Sequence, residues 1–188
     1  MNNVDYDDKT MCACLTKQMY DRIENTVVKL YQELKITKMP IDPFSISDTL
    51  GYRLIPSSSQ NELQHKFLHD GFSGMCCRDT KGIFRIAYDD KAIITRQRFT
   101  IMHEIGHILL EHKEESDLAD KMANYFASYA LAPSPLVGLY NCEDYIDVVN
   151  TFNVSKECAD MVFRRFNRWQ ACSTRKTYEN VLLRMFNN

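Results

Sequence analysis

An α+β fold, with a small sheet packed on one side of a set of helices, is the class this sequence predicts. Three observations carry that reading. Apolar residues at Ile23, Val27, Leu30, Tyr31 and Leu34 fall three and four apart. Phe84, Ile86 and Tyr88 alternate with Ile83, Arg85 and Ala87. From about residue 92 the helical spacing returns and persists to the C-terminus.

Taken in order, residues before about Thr16 read as a loose arm, and Gln18 to Leu34 as an amphipathic helix followed by the breaker Pro40. After Pro43 a short helix runs through Leu50 to Gly51, a residue able to take the left-handed cap conformation; Tyr52 to Ile55 then reads as a strand. Residues 56–70 are polar and read as a loop. Phe72 to Cys77 and Ile83 to Tyr88 flank Arg78-Asp79-Thr80-Lys81-Gly82, a hairpin pattern. Helices are predicted over about Ala92–His112, Asp117–Leu131, Glu143–Thr151, Lys156–Trp169 and Thr177–Phe186, with Pro133 and Pro135 marking a break. The domain organisation expected is an arm over 1–16, a main domain over 17–132 and a C-terminal helical extension over 133–188.

The chain has 188 residues, 45% hydrophobic and 26% charged, with only 6 Gly and 5 Pro, which excludes collagen-like, low-complexity and wholly disordered classes. A net charge of −2 provides no global field to attract DNA or an anionic membrane. The acidic start MNNVDYDDKT has no apolar core or cleavage site, and no apolar run reaches a membrane-spanning length, so a cytoplasmic protein is expected. Seven cysteines without a CxxC pair read as free, mostly buried thiols.

The segment FTIMHEIGHILLEH, residues 99–112, places His103, Glu104 and His107 on a helix that is otherwise apolar from Ile101 to Leu110. Two histidines four residues apart lie on one helix face, at the separation that lets both bind one tetrahedral Zn²⁺. Zinc lowers the pKa of its water toward about 7, and Glu104 is placed to take that proton and pass it to a leaving amine, which points to peptide hydrolysis. Against this stands the chance occurrence of HExxH in unrelated proteins. The buried helical context favours the metal, as does Gly106, whose place inside a helix suggests that another backbone or a substrate approaches closely.

A third ligand must come from elsewhere, because Leu110 and Lys113 stand where the extended HExxHxxGxxH pattern needs Gly and His. The next helix offers Asp117, Asp120 and Asn124, with Glu114 and Glu115 before it. If it starts near Ser116 and folds back antiparallel, Asp120 stands about 6 Å above the turn and His107 about 9 Å, so Asp120 reaches the metal level. Asn124, one turn on, can orient a ligating histidine. The plain alternative is that both are solvent-facing helix residues.

The segment Arg98-Phe99-Thr100, HEIGH, then Asp120-Lys121-Met122-Ala123-Asn124-Tyr125-Phe126-Ala127 before Pro133 resembles the ImmA/IrrE metallopeptidases, and similarity extends weakly over residues 17–170. The resemblance implies a zincin-like catalytic domain, zinc held by His103, His107 and the residue at position 120, and cleavage of a helix-turn-helix repressor of the XRE type. The family's third ligand is a glutamate; here it is Asp120, shorter by one methylene. The hairpin of residues 72–88 is the candidate edge for an extended substrate. A non-catalytic module of the same fold that sequesters a transcription regulator is the competing reading. A hydrolase acting on something other than protein ranks last.

Weaker features have plainer explanations. Phe152-Asn153-Val154-Ser155 joins two predicted helices in helix-turn-helix style, with Ser155 as N-cap, and residues 156–188 carry seven basic against three acidic side chains; a solvated basic face is commoner than a DNA surface. Arg98 reads as structural, paired with a carboxylate. His65, His69 and His112 lack ligand spacing and read as surface or loop residues, and nothing in the pattern supports Tyr125 or Tyr129 as a transition-state stabiliser.

Overall fold

The computed structural model describes residues 14–59, 74–114, 116–172 and 174–187. Most of the predicted arm, much of the 56–70 loop, and His65, His69, Cys12 and Glu115 lie outside the described residues. The architecture is α+β, as predicted. Helix α1 (Lys17–Glu33) and α2 (Pro43–Thr49) precede β1 (Arg53–Pro56), a 3₁₀ turn at Ser57–Ser59, β2 (Gly74–Arg78) and β3 (Phe84–Tyr88). Then come α3 (Ile94–Leu109), α4 (Asp117–Leu131), α5 (Ser134–Leu139), α6 (Tyr145–Phe152), α7 (Lys156–Gln170) and α8 (Thr177–Phe186).

Local chemistry sets most of these boundaries. Thr16, Asp42, Ser116, Asp144 and Ser155 each cap the helix that follows, their side-chain oxygens accepting first-turn N–H groups. Gly51, at φ 72°, turns the chain from α2 into β1. The hairpin forms with Gly74 opposite Tyr88 and Arg78 opposite Phe84. Its turn is closed by the Asp79 carboxylate, which accepts from the Lys81 and Ile83 N–H groups at 2.9 Å and from Arg85. β1 joins β3 in parallel, giving the order β1-β3-β2, so β2 is an edge of the sheet and lies against α3.

The structure corrects four expectations. The motif helix ends at Leu109 rather than His112, because Glu111 takes the left-handed conformation, φ 59°, and the His112 N–H turns back to the His107 carbonyl at 3.1 Å. Pro133 and Pro135 do not simply break the chain: Pro133 is the N-cap of α5 and Pro135 sits in its first turn, where the missing N–H costs nothing. Among the described cysteines only Cys142 and Cys158 are buried, while Cys14, Cys77 and Cys172 are exposed and Cys76 is half-buried; all are free. Gly106 faces a side chain, Phe126 of α4, whose ring and Cβ stand 2.9–3.2 Å from where a Cβ would be.

One apolar core runs through the molecule, from Ile23, Val27 and Tyr31 of α1 through Ile101, Met102 and Ile105 of α3, Phe126 and Leu131 of α4, and on to Leu136, Phe152, Val162 and Leu182. Three arginines tie helices together by donating to carbonyls at helix C-termini, where the backbone leaves acceptors unpaired. Arg22 reaches the Leu110 carbonyl at 3.0 Å, and Arg165 reaches the Ser128 and Ala132 carbonyls at 3.2 and 2.8 Å. Arg98, buried at 6% exposure, donates to the Phe152 and Asn153 carbonyls at 3.2 and 3.1 Å. Arg98 is therefore structural as expected, but its hydrogen-bond partners are carbonyls rather than a carboxylate. No helix among the described residues is long and apolar enough to cross a membrane.

Candidate metal centre

α3 and α4 pack closely as an antiparallel pair joined by a short turn, which brings the second helix alongside HEIGH. The i, i+4 spacing puts both imidazoles on the α4 side, with His103 Nε2 and His107 Nε2 3.0 Å apart. Asp120 Oδ1 stands 3.4 Å from His107 Nε2. One ligand atom from each of His103, His107 and Asp120 lies within 4.8 Å of the other two.

Asn124, one turn beyond Asp120, accepts at 3.0 Å from His103 Nδ1. Because the amide oxygen can only accept, that nitrogen carries the proton and His103 Nε2 presents a lone pair. A lone pair and a carboxylate oxygen thus converge on His107 Nε2, an arrangement that calls for positive charge between them. Two nitrogens bound to one tetrahedral zinc stand roughly 3.4 Å apart, close to the spacing already present, so the three residues fit one metal ion with little movement. Burial is the main cause holding His103 below the ordinary imidazole value, which keeps it neutral and able to donate its lone pair.

Glu104, next along the helix, packs against Gly74 of β2. It is 6% exposed. A Cβ on Gly74 would lie 2.8 Å from its Oε1, so only glycine at that point of β2 lets strand and carboxylate approach so closely. The Cys76 thiol lies beside Glu104, and burial, then the Glu104 charge, push that thiol up to about 12. Sequence reasoning missed this contact because nothing local links position 76 to 104.

His112 also differs from its expected surface role. The left-handed turn at Glu111 swings its ring back, so that His112 Nδ1 lies 3.1 Å from His107 Nδ1 and the two rings meet edge to face. Burial, then His107 and Arg22, lower its pKa. Tyr125 and Tyr129 point elsewhere: the Tyr125 hydroxyl donates to Glu24 at 2.6 Å, and Tyr129 is 1% exposed beneath Arg165. Glu24 also accepts from Tyr178 and Lys176 at 2.7 and 2.9 Å, forming a buried polar knot between α1, α4 and α8.

A small sheet whose edge lies on an HExxH helix, with a second helix bringing a carboxylate beside the two histidines, is the architecture of a small zincin-like domain. Residues 73–163 match the family model Peptidase_M78, the IrrE N-terminal-like domain, so this stretch of the chain is similar to that family of peptidases. No curated protein matches the chain. A peptidase family implies a protein substrate, and a metal ion to act on it.

Proposed function

We propose that this protein is a zinc-dependent endopeptidase, with His103, His107 and Asp120 as metal ligands and Glu104 as general base. The observation that carries this reading is the convergence of the three ligand atoms within 4.8 Å, with a buried carboxylate at the adjoining helix position. Bound zinc would polarise a peptide carbonyl and acidify water. Asn124 holds His103 with its Nε2 turned toward the cluster. Glu104, between the cluster's helix and β2, accepts a proton from water and returns it to the amine leaving group. The open edge of β2 offers backbone groups to an extended peptide, which would then run across α3 beside Glu104.

The substrate that the ImmA/IrrE resemblance suggests is an XRE-type helix-turn-helix repressor, cleaved to relieve repression. Asp120 is exposed and one methylene shorter than the family's glutamate, and the Glu104 carboxylate lies beside the Cys76 thiol. Those two facts favour the second reading, a non-catalytic module that sequesters a transcription regulator. Metal content and cleavage separate them. About one zinc per chain in the wild type, lost in His103→Ala and in Asp120→Ala, supports the three-ligand site. Glu104→Gln should keep fold and zinc yet slow repressor cleavage by about 10²–10⁴-fold. A protein that binds the repressor without cutting it, with Glu104→Gln indistinguishable from wild type, establishes the second reading.

A further inference from the structure

The turn that ends α3 places a third histidine against the cluster, in a position neither the spacing of the motif nor the match to the family assigns. The His107 ring has two nitrogens, and both are engaged: Nε2 faces His103 and Asp120, and Nδ1 faces His112 Nδ1 at 3.1 Å. The same is true of His103, whose Nδ1 is held by Asn124 at 3.0 Å. Each histidine of the pair thus has its own outer partner, one a side-chain amide and the other an imidazole.

We propose that His112 is a positioning residue, holding His107 with Nε2 toward the metal as Asn124 holds His103; the proposal rests on the metal-site reading above. When His107 donates its Nε2 lone pair, its proton must reside on Nδ1, and the atom that accepts that hydrogen bond is His112 Nδ1. The His112 proton then resides on Nε2, an atom that is buried and has no hydrogen-bond partner among the described residues. The ring therefore makes no side-chain hydrogen bond among those residues except to His107. Its placement is fixed by the backbone: Glu111 at φ 59°, the His112 N–H on the His107 carbonyl at 3.1 Å, and Arg22 on the Leu110 carbonyl at 3.0 Å. Outer partners of this kind typically alter metal affinity by about 10–100-fold.

The test uses the full-length chain and Zn²⁺ alone, with affinity read by competition against a chromogenic chelator. His112→Phe keeps the ring but removes the acceptor and should weaken zinc binding by about 10–100-fold, while His112→Gln, which retains an acceptor, should recover most of it. A purely packing role would leave Phe at wild-type affinity, and that result overturns the proposal. If His112→Phe does not fold, His112→Gln decides: affinity within a few-fold of wild type supports the proposal, and a loss as large as that of His112→Ala overturns it. In the zinc-loaded wild type, ¹⁵N imidazole spectra should show His112 protonated on Nε2; protonation on Nδ1 overturns it as well. Wild type that binds no zinc sinks the metal-site reading and this proposal with it, whereas tight wild-type binding indifferent to every His112 change sinks the proposal alone.

Discussion

Gly106→Ala adds one methyl group at the point where α3 and α4 come closest. That carbon would stand 2.9 Å from Phe126 Cδ1, 3.1 Å from Cγ and 3.2 Å from Cβ. Carbon atoms rest at about 3.5–4.0 Å, and because Phe126 Cβ is attached to the backbone, a change of rotamer cannot relieve the clash. Phe126 is fully buried, so the helices themselves must part by roughly half an ångström. Overpacking of this kind costs about 1–3 kcal/mol, and alanine's better helix propensity returns about 1 kcal/mol. The net expectation is a loss of about 1 kcal/mol, or about 2–4 °C in the unfolding midpoint for a chain this long. Asp120 and Asn124 ride on the same helix as Phe126, so zinc affinity should fall along with the midpoint. Circular dichroism melts of metal-free protein and chelator competition measure the two effects. A Gly106→Ala protein that melts at or above the wild-type temperature, with unchanged zinc affinity, would refute the reasoning.

Other changes have distinct expected outcomes. Arg98→Ala leaves the Phe152 and Asn153 carbonyls without their donor and should cost about 2–3 kcal/mol in urea titrations; a loss under half a kilocalorie would mean water replaces the guanidinium freely. Asn124→Ala should lower zinc affinity about tenfold while barely moving the midpoint, and the reverse pattern would make Asn124 a packing residue. Burial raises Tyr125, Tyr129 and Tyr178 above the ordinary phenol value, and the hydrogen bonds that Lys176 donates to Asp21 and Glu24 raise it against the opposing effect of burial. The folded state thus holds these protons more tightly than the unfolded chain, so their stabilisation is complete below about pH 10 and is lost as pH rises beyond it. Melting temperature followed from pH 8 to 11 should fall at the alkaline end, and a flat profile would count against the buried knot around Glu24.

The parts of the molecule that the sequence announced are those written in local chemistry. α4 begins where Ser116 caps it and stops before Pro133, and α8 runs over the predicted residues. His103, His107 and Asp120 came together because helical geometry fixes the first pair and a short antiparallel turn fixes the third. What escaped notice lies in contacts made across the chain or in unusual backbone. Glu111 takes a left-handed conformation without being glycine, so neither the end of α3 nor the return of His112 was visible. The pair Pro133 and Pro135 looked like a barrier, although one proline before a helix and another in its first turn is a starting signal. The Cys76 contact with Glu104 and the Phe126 contact with Gly106 each join elements whose pairing no periodicity reveals.

The knot around Glu24 has a bearing on how the protein can be divided. Residues 73–163 match the peptidase family, yet the face of α4 that carries Tyr125 is closed by α1 from upstream, and Lys176 and Tyr178 of the α8 entrance meet the same carboxylate from downstream. Excising the matched segment would strip away Ile23, Val27 and Leu182, all fully buried, and remove Glu24 from beneath the Tyr125 hydroxyl. The helix that supplies Asp120 and Asn124 is thus clamped by both flanks of the chain, so a minimal folded fragment must retain the first and last helices as well as the motif.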